Sequence, residues 1–548
     1  MLYQIPEYES DQLISIIGTK RPLQEELRSI ISQLLPKKGT SLFIDAFCGS
    51  GAVARVARSL GCRVIASDVE AFTFITNYVY LALHAEDIST MFAEFGGIDA
   101  YLTILNLQGL YASTVNKDIP NGFLSTYYAP SDDTSYDGNR ERLFFTRSNA
   151  LFLDTVREEI EQNWIAKKIN AAEKCVALAS VLYEASRKAN TGGTFTSYYK
   201  RFGSYEQTAL SRIGTNCELH APVLPDMPIP RGSVRLESAD KVVSSHSADI
   251  CFIDPPATVH QYSSAYHLLN SIAIWDKPPI DERRNPDGTL VNKSGMREDR
   301  ASTKSPFCSL KHADAAFVHL IGSIDARTVI TTYPNSGIVS AERIRQLLSP
   351  RFRSVSSLIL RKRNQGGRQP LDRSKDTFEH VIIAGNPETV SVVVETDVEI
   401  IEYLRILHEM ESRVFNPRDD IEPFQFVGGI LIRHPVDPFE LQKKEKSKLS
   451  MLAHALEHSC CTTAEQSIDV LTKALRKEHS YPIDGEGRLK IEKKIVSLLR
   501  QHCSVATARV FFELFETVEQ RLADIDNSKR LEMHLRRLKS VTQMRLMQ

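Results

Sequence analysis

Short apolar runs that end in turn residues dominate the first 390 positions and predict a buried, mainly parallel sheet. Residues 41–47 form the first run, and residues 52–60 follow with helical spacing that ends at Gly61. Residues 62–68 form a second run, which completes a β-α-β unit. Comparable runs recur later and are assigned to the same sheet: residues 234–236, 250–253, 328–331, 357–360 and 380–383.

Helical spacing predominates between the second and third runs, so we expect a helical insertion at about residues 96–230. Beyond residue 390 the pattern changes, and apolar residues recur at helical spacing around Leu449 and Leu456. The sequence therefore predicts a domain at residues 1–390 and a mainly helical C-terminal domain at residues 391–548. For the C-terminal domain, binding of DNA or of a partner and a plain solvated surface are both open.

Composition excludes several classes of protein. The chain has 548 residues, too many for one core, with 42% hydrophobic and 25% charged residues, which fits neither a disordered nor a membrane protein. No apolar run reaches the length of about 18 residues that a spanning helix needs, and the amino terminus lacks a secretory signal, so we expect a cytoplasmic protein. The nine cysteines form no CxxC pair, which argues against a disulfide framework and against a metal site.

The net charge of −1 does not indicate a polyanionic partner, so only local clusters can do so. One cluster, Arg361 to Arg368, places four cations beside a glycine pair between two strands of a predicted hairpin. A second candidate interleaves aromatic and basic residues at Tyr198 and Lys200. Each is a candidate contact for nucleic acid, and a solvated or packed surface is the alternative for each.

The first chemical signal is the glycine turn at residues 47–51, between a strand and a helix. Glycines there let the backbone approach a ligand at the carboxyl edge of the sheet, although a plain turn explains them as well. Asp68, at the tip of the next strand, strengthens the ligand interpretation, because an acid there accepts hydrogen bonds from the ribose hydroxyls of a nucleoside-containing cofactor. An ordinary helix N-cap is the alternative for Asp68.

The second signal is Asp254-Pro255-Pro256, directly after the run at residues 250–253. An aromatic amine such as that of adenine is a poor nucleophile, because its lone pair is delocalised into the ring. A carboxylate that accepts one N–H and a backbone carbonyl that accepts the other localise the lone pair, and two prolines fix the direction of that carbonyl. A rigid exit from the strand is the alternative.

Together these segments resemble the adenine-specific DNA methyltransferases whose signature is DPPY, in their alpha-type motif order. Residues 17–23 look like the IGSKR element, residues 45–51 are similar to the DxFxGSG cofactor loop, and Asp68 resembles the second-strand acid. Further similar segments follow in order at residues 144–150, 189–193, 261–267, 296–300 and 333–337. The resemblance covers about residues 14–386.

The resemblance implies an α/β, Rossmann-like methyltransferase core with a helical target-recognition insertion. It also implies S-adenosylmethionine as cofactor and a target adenine flipped out of double-stranded DNA. A cytoplasmic, prokaryotic, nucleoid-associated location and a cognate restriction or defence subunit as candidate partner follow from the same resemblance. The implied cofactor-binding residues are Lys20, Asp45, Phe47, Gly49, Gly51, Asp68 and Asp240. The implied catalytic residues are Asp254, Pro255, Pro256 and the residue at position 257. The candidate DNA contacts are Tyr262, Tyr198, Lys200, Arg361, Arg363 and Arg368.

One departure bears on activity, because Ala257 stands where the signature has the tyrosine that stacks on the flipped base. Ala265 likewise stands where an asparagine is expected. Three interpretations of Ala257 are open: a substitution introduced to trap a complex, a natural inactive enzyme, or an active enzyme in which Tyr262 or another ring stacks. The competing function is therefore an inactive, cofactor-binding subunit for DNA recognition or assembly. RNA is a lesser alternative as substrate, since no sequence feature reads a 2′-hydroxyl.

Overall fold

The computed structural model describes most of the first 387 residues and parts of the remainder. The described ranges are residues 7–36, 40–114, 122–203, 209–225, 228–299, 304–362, 377–387, 425–427, 430–433, 464–476, 485–502, 508–523 and 529–547. The chain divides into two compact units, residues 1–395 and 396–548.

The first unit is built on a seven-stranded mixed sheet, counted over the described residues, with strand order β3-β2-β1-β4-β5-β7-β6. Its strands are β1 (Leu42–Asp45), β2 (Arg63–Asp68), β3 (Ser233–Leu236), β4 (Ser247–Ile253), β5 (Asp325–Pro334), β6 (Ser354–Lys362) and β7 (Thr377–Gly385). The pairs among β1 to β5 are parallel, and β7 runs antiparallel between β5 and β6. All seven predicted strands are present, and the Rossmann-like α/β class is confirmed.

Helices cover both faces of this sheet. The helices of the first unit are α1 (Glu7–Ser10), α2 (Gln24–Leu34), α3 (Ala52–Ser59), α4 (Ala71–Ala82), α5 (Ala85–Ile88), α6 (Ile98–Thr114), α7 (Phe123–Tyr127), α8 (Arg147–Ile165), α9 (Ala171–Lys188), α10 (Leu210–Ile213), α11 (Ala239–Ser245), α12 (Tyr262–Ala265), α13 (His267–Ile274), α14 (Ala313–Ser323) and α15 (Ala341–Leu348). Alternation along β1 sends Phe43 into the core beneath α2 and α3, and Ile44 into the core beneath α11, α14 and α15.

The helices α6 to α10 lie in the chain between β2 and β3, where the sequence predicts an insertion. The apolar faces of α6 to α9 share one core with α4 and α13, so the insertion packs directly onto the domain. Arg157 of α8 is fully buried, and its guanidinium donates to the carbonyl oxygen of Ile272 at 2.8 Å. This bond joins the insertion to the segment that follows Asp254.

The second unit contains a short antiparallel pair and amphipathic helices. Its described elements are β8 (Gln425–Val427), β9 (Ile430–Arg433), α16 (Ala464–Leu475), α17 (Gly485–Gln501), α18 (Ala508–Leu522) and α19 (Lys529–Met547). Residues such as Leu471, Ile495 and Phe511 form its core. The helical spacing at Leu449–Leu456 falls outside the described residues. Within the described ranges, no helix has the length and apolar character needed to cross a bilayer.

Candidate active site

A cavity of about 370 Å³ opens at the carboxyl ends of β1, β2 and β4. This is the edge at which open α/β sheets bind ligands, because the chain connections on the two sides of β1 diverge there. Nine of the residues proposed from sequence line it: Lys20, Asp45, Phe47, Gly49, Asp68, Asp240, Asp254, Pro256 and Tyr262. Gly51, Pro255 and Ala257 adjoin these residues in the chain.

The glycine turn is held to the sheet from two sides. Gly51 is the N-cap of α3 and has a φ of +80°, and a Cβ there would lie 2.0 Å from Oδ1 of Asn77, so only glycine fits. Asn77, on α4, donates to the carbonyl oxygen of Gly49 at 2.9 Å, and the N–H of Gly49 donates to Oδ2 of Asp68 at 2.9 Å. The turn therefore has a fixed shape against the cavity.

Asp68 is not the N-cap of the helix that follows it. Glu70 occupies that position for α4, and Asp68 instead accepts the backbone N–H of Glu70 and the N–H of Gly49. Burial raises the pKa of Asp68, although these backbone hydrogen bonds counteract the increase. The neighbouring Val69 leaves 47% of its surface exposed at the cavity wall, which pairs an acid with an apolar surface.

Asp45 is the last residue of β1 and is 1% exposed. Its Oδ1 has no hydrogen-bond partner within the described part of the chain. Burial, reinforced by the charge of Asp254, raises the pKa of Asp45 to about 8. A buried acceptor without a donor at a cavity wall suits a cationic ligand group, which would supply both the donor and the charge.

Asp254 lies beyond the end of β4 and is held through one of its two oxygens. Its Oδ1 is 2.7 Å from Nζ of Lys20 and accepts the hydroxyl of Thr332 at 2.9 Å. Burial raises the pKa of Asp254, the charge of Lys20 lowers it, and the charge of Glu379 raises it further. Asp254 is therefore a more basic carboxylate than an exposed aspartate.

Lys20 has contacts that the sequence did not predict. Its ammonium lies 2.7 Å from Asp254, 2.9 Å from Oε1 of Glu379 and 2.9 Å from the carbonyl oxygen of Gly18. Lys20 therefore makes a hydrogen bond to Gly18 and ion pairs with both carboxylates. It also lines the cavity, so its assignment to the methionine part of a cofactor stays a prediction.

The segment after Pro256 is anchored at several points. The carbonyl oxygen of Ala257 accepts the N–H of Ile338 at 3.1 Å. The hydroxyl of Tyr262 donates to the carbonyl oxygen of Ile17 at 2.8 Å, which fixes that ring at the cavity wall. Tyr262 is thus an aromatic ring at the cavity that carries Asp254, while residue 257 contributes only a methyl group.

The other predicted DNA contacts have local partners or fall outside the description. The hydroxyl of Tyr198 donates to the carbonyl oxygen of Glu141 at 2.9 Å. The ammonium of Lys200 donates to the carbonyl oxygen of Gly138 at 2.5 Å. Arg361 lies on β6, opposite Phe378 of β7. Arg363 and Arg368 fall outside the described residues, so their DNA contacts stay predictions.

Four residues that contribute to this site were not singled out from the sequence: Val69, Asn77, Thr332 and Glu379. Val69 had a readable signal, because it directly follows the second-strand acid. Thr332 and Glu379 had none, since each lies inside an apolar strand and reaches Lys20 or Asp254 only through the pairing of β5 with β7. No group of three or more potential metal ligands was found in the described ranges.

Comparison with known proteins assigns the family. A model described as the D12 class N6 adenine-specific DNA methyltransferase matches residues 17–305, more than half of the chain. The chain belongs to this family. This confirms the resemblance drawn from the motifs and identifies the chain as a DNA adenine methyltransferase by family.

Three relatives illustrate how far the similarity of this D12 methyltransferase extends. It is 26% identical over 335 residues to the Type II methyltransferase M.NlaIII of Neisseria lactamica, covering 61% of this chain and 87% of that protein. It is 25% identical over 338 residues to M.CviAII of Paramecium bursaria Chlorella virus 1, covering 61% and 88%. It is 26% identical over 333 residues to M.FokI of Planomicrobium okeanokoites, covering 61% of this chain but only 46% of that protein.

Proposed function

We propose that this D12 methyltransferase transfers a methyl group from S-adenosylmethionine to the N6 amine of an adenine flipped out of double-stranded DNA. The observation that carries the proposal is the asymmetric setting of Asp254. Lys20 and Thr332 both engage Oδ1, and among the described residues no donor is found on Oδ2. That oxygen is available for an N–H of the target base.

The cavity suits the cofactor in charge and in shape. Asp68 would accept the ribose hydroxyls, Val69 would pack on the cofactor's adenine, and the orphaned Oδ1 of Asp45 would accept its ammonium. Phe47, Gly49, Gly51 and Asp240 complete the proposed set. When bound, the cofactor supplies an electrophilic methyl group on a sulfonium ion, and the acidic cavity wall favours such a cation.

The chain's own residues would activate the amine. Asp254 accepts one N–H of the base through Oδ2, and the carbonyl oxygen of Pro255 accepts the other. Both hydrogen bonds strengthen as positive charge develops on the nitrogen, so they stabilise the transition state more than the ground state. Flipping is required because the amine of a paired, stacked adenine cannot meet the methyl group in line.

Cofactor binding at pH 7 is expected to release about one proton, because Asp45, with a pKa of about 8, is mostly protonated in the free protein. The bound ammonium favours the ionised carboxylate and displaces that proton. Calorimetry in buffers of different ionisation enthalpy measures the release. Asp45→Asn should abolish it and Asp240→Asn should keep it; release that persists in Asp45→Asn would contradict the assignment.

Transfer of a labelled methyl group to mixed-sequence duplex DNA tests the proposed function. Label should appear as N6-methyladenine after hydrolysis of the DNA. Label found only on cytosine, or only on RNA supplied in parallel, would overturn the assignment of the substrate.

A separate set of residues is proposed to contact DNA. We propose Tyr262 as the ring nearest the flipped base, and Tyr198, Lys200, Arg361, Arg363 and Arg368 as contacts to the duplex. The relatives' names include Type II methyltransferases and modification methylases, which supports a place in a restriction-modification system and a cognate partner. Because chromosomal DNA is the proposed substrate, we also propose that the protein is cytoplasmic and associated with the nucleoid.

A second candidate function is favoured by one observation, the alanine at position 257. In that case the chain binds cofactor and DNA but serves as an inactive recognition or assembly subunit. Binding of both ligands without transfer of label would support this candidate.

A further inference from the structure

The strongest unassigned feature is a buried charge cluster behind Asp254. Lys20 is 4% exposed and Glu379 is 1% exposed, and their charged atoms lie 2.9 Å apart. Glu379 comes from β7, beyond the residues that the family model matches. The cluster holds one cation between two carboxylates, and a buried carboxylate is costly unless it has a role or a partner.

Glu379 is not among the residues that line the cavity, although its ion-pair partner Lys20 is. Its strand neighbour β5 carries Thr332, and the register of β5 with β7 places Pro334 opposite Glu379. Lys20 is therefore drawn by Glu379, by Gly18 and by Oδ1 of Asp254 at once. With Glu379 absent, only the neutral carbonyl oxygen of Gly18 among the described residues competes with Asp254 for the cation, so we expect the ammonium to shift toward both oxygens of Asp254.

We propose that Glu379 is a positioning residue for methyl transfer, which restrains Lys20 on Oδ1 of Asp254 and so keeps Oδ2 available to the amine of the flipped adenine. Thr332 acts with it by occupying Oδ1 from the other side. This inference rests on the proposed function, because it assigns the geometry of the same carboxylate.

Glu379→Gln is expected to lower kcat by about ten- to a hundredfold, the effect of a misplacement of about 1 Å at a reacting group. KM for DNA and for cofactor should change by less than about threefold, since Glu379 is placed in neither binding surface. The acid limb of the pH–rate profile should move to lower pH, because removing the negative charge of Glu379 stabilises ionised Asp254. The other charged or titratable groups that act on Asp254, namely Lys20, Asp45, Tyr262 and Tyr333, are unchanged.

A purely structural role for Glu379 would reduce the folded fraction but leave kcat per folded enzyme unchanged, because the shift of the acid limb follows from the lost charge alone. If kcat per folded enzyme stays as in the parent protein, the proposal is wrong. Rates are compared in the parent chain and in an Ala257→Tyr background, so that a slow parent does not hide the effect.

Thr332→Val and Thr331→Val form a matched pair on β5 that does not depend on removing a buried charge. Thr332 donates to Asp254, whereas the buried hydroxyl of Thr331 has no hydrogen-bond partner among the described residues. Thr332→Val should lower kcat about tenfold, the loss of one hydrogen bond to a charged group. Thr331→Val should leave kcat within about twofold. Equal effects of the two substitutions would overturn the proposal.

Chemical labelling of lysines separates failure of this inference from failure of the proposed function. Lys20 should react with acetic anhydride faster in Glu379→Gln than in the parent, because loss of the carboxylate lowers the pKa of the ammonium. Lys188, which is 3% exposed and bonded to Thr215, should stay equally protected in both proteins. Unchanged labelling of Lys20 would contradict the restraint by Glu379, whether or not DNA is methylated.

Discussion

Asp254→Asn is expected to lower the rate of methyl transfer by about 10²- to 10³-fold, the cost of losing a preorganised group aimed at developing charge. The amide is neutral and cannot stabilise the positive charge that grows on the attacking nitrogen. Cofactor affinity should change little, because Asp254 is not among the proposed cofactor contacts. Transfer of labelled methyl under single-turnover conditions, with calorimetry of cofactor binding, measures both quantities.

The dependence of the methyl-transfer rate on pH tests the role of Asp254 independently. Burial raises the pKa of Asp254, so the active carboxylate is lost as pH falls through a value above that of an exposed aspartate, about 3.9. The rate should therefore decline on the acid side in the parent, and this limb should be absent in Asp254→Asn.

Asp249→Asn is the matched control on the same strand. Asp249 lies at the other end of β4, where its Oδ2 accepts the N–H of Leu42, and an asparagine oxygen can accept that bond as well. The control should keep at least half of the parent rate. If Asp249→Asn is as slow as Asp254→Asn, the loss reflects the fold and not the carboxylate at position 254.

The sequence predicted those parts of the fold that depend on a local pattern of apolar residues. Each buried strand appears as a short apolar run, and the pair β6 and β7 was predicted as a hairpin around the basic loop. The position of β7 between β5 and β6 was not readable, because strand order depends on pairing between distant segments. The packing of the insertion onto α13 through Arg157 was unreadable for the same reason.

The same limit applies to the candidate site. Asp45 and Asp68 each end a strand, Asp254 directly follows one, and all three belong to motifs with a chemical rationale, so the sequence proposed them together. Lys20 was proposed from the sequence but its ion pair with Glu379 was not, because Glu379 is more than 350 positions away in the chain. A lone carboxylate inside an apolar strand gives no indication of what it faces.

Ala257→Tyr is expected to raise the rate of methyl transfer at least tenfold with little change in cofactor affinity. Aromatic stacking contributes about 1 to 3 kcal/mol per base, or about 5- to 150-fold in rate when it is realised in the transition state. The alanine methyl cannot supply it, and the backbone at position 257 is already anchored through Ile338. Labelled-methyl transfer by both proteins on the same DNA measures the gain.

Val259→Tyr is the control for simply adding an aromatic ring to this loop. Val259 is 55% exposed and lies two positions from Ala257, so a tyrosine there should change the rate by less than about twofold. If both substitutions raise the rate equally, the gain does not come from stacking at position 257.

The parent's own rate then decides between the interpretations of Ala257. If Ala257→Tyr transfers no methyl group while cofactor and DNA both bind, the chain is an inactive recognition subunit. If the alanine form is already as fast as Ala257→Tyr, another ring stacks, and the tether of Tyr262 to Ile17 makes Tyr262 the first residue to test. Tyr262→Leu should then lower the rate by about 5- to 150-fold, whereas Tyr262→Phe, which keeps the ring and loses only the tether, should retain most of it.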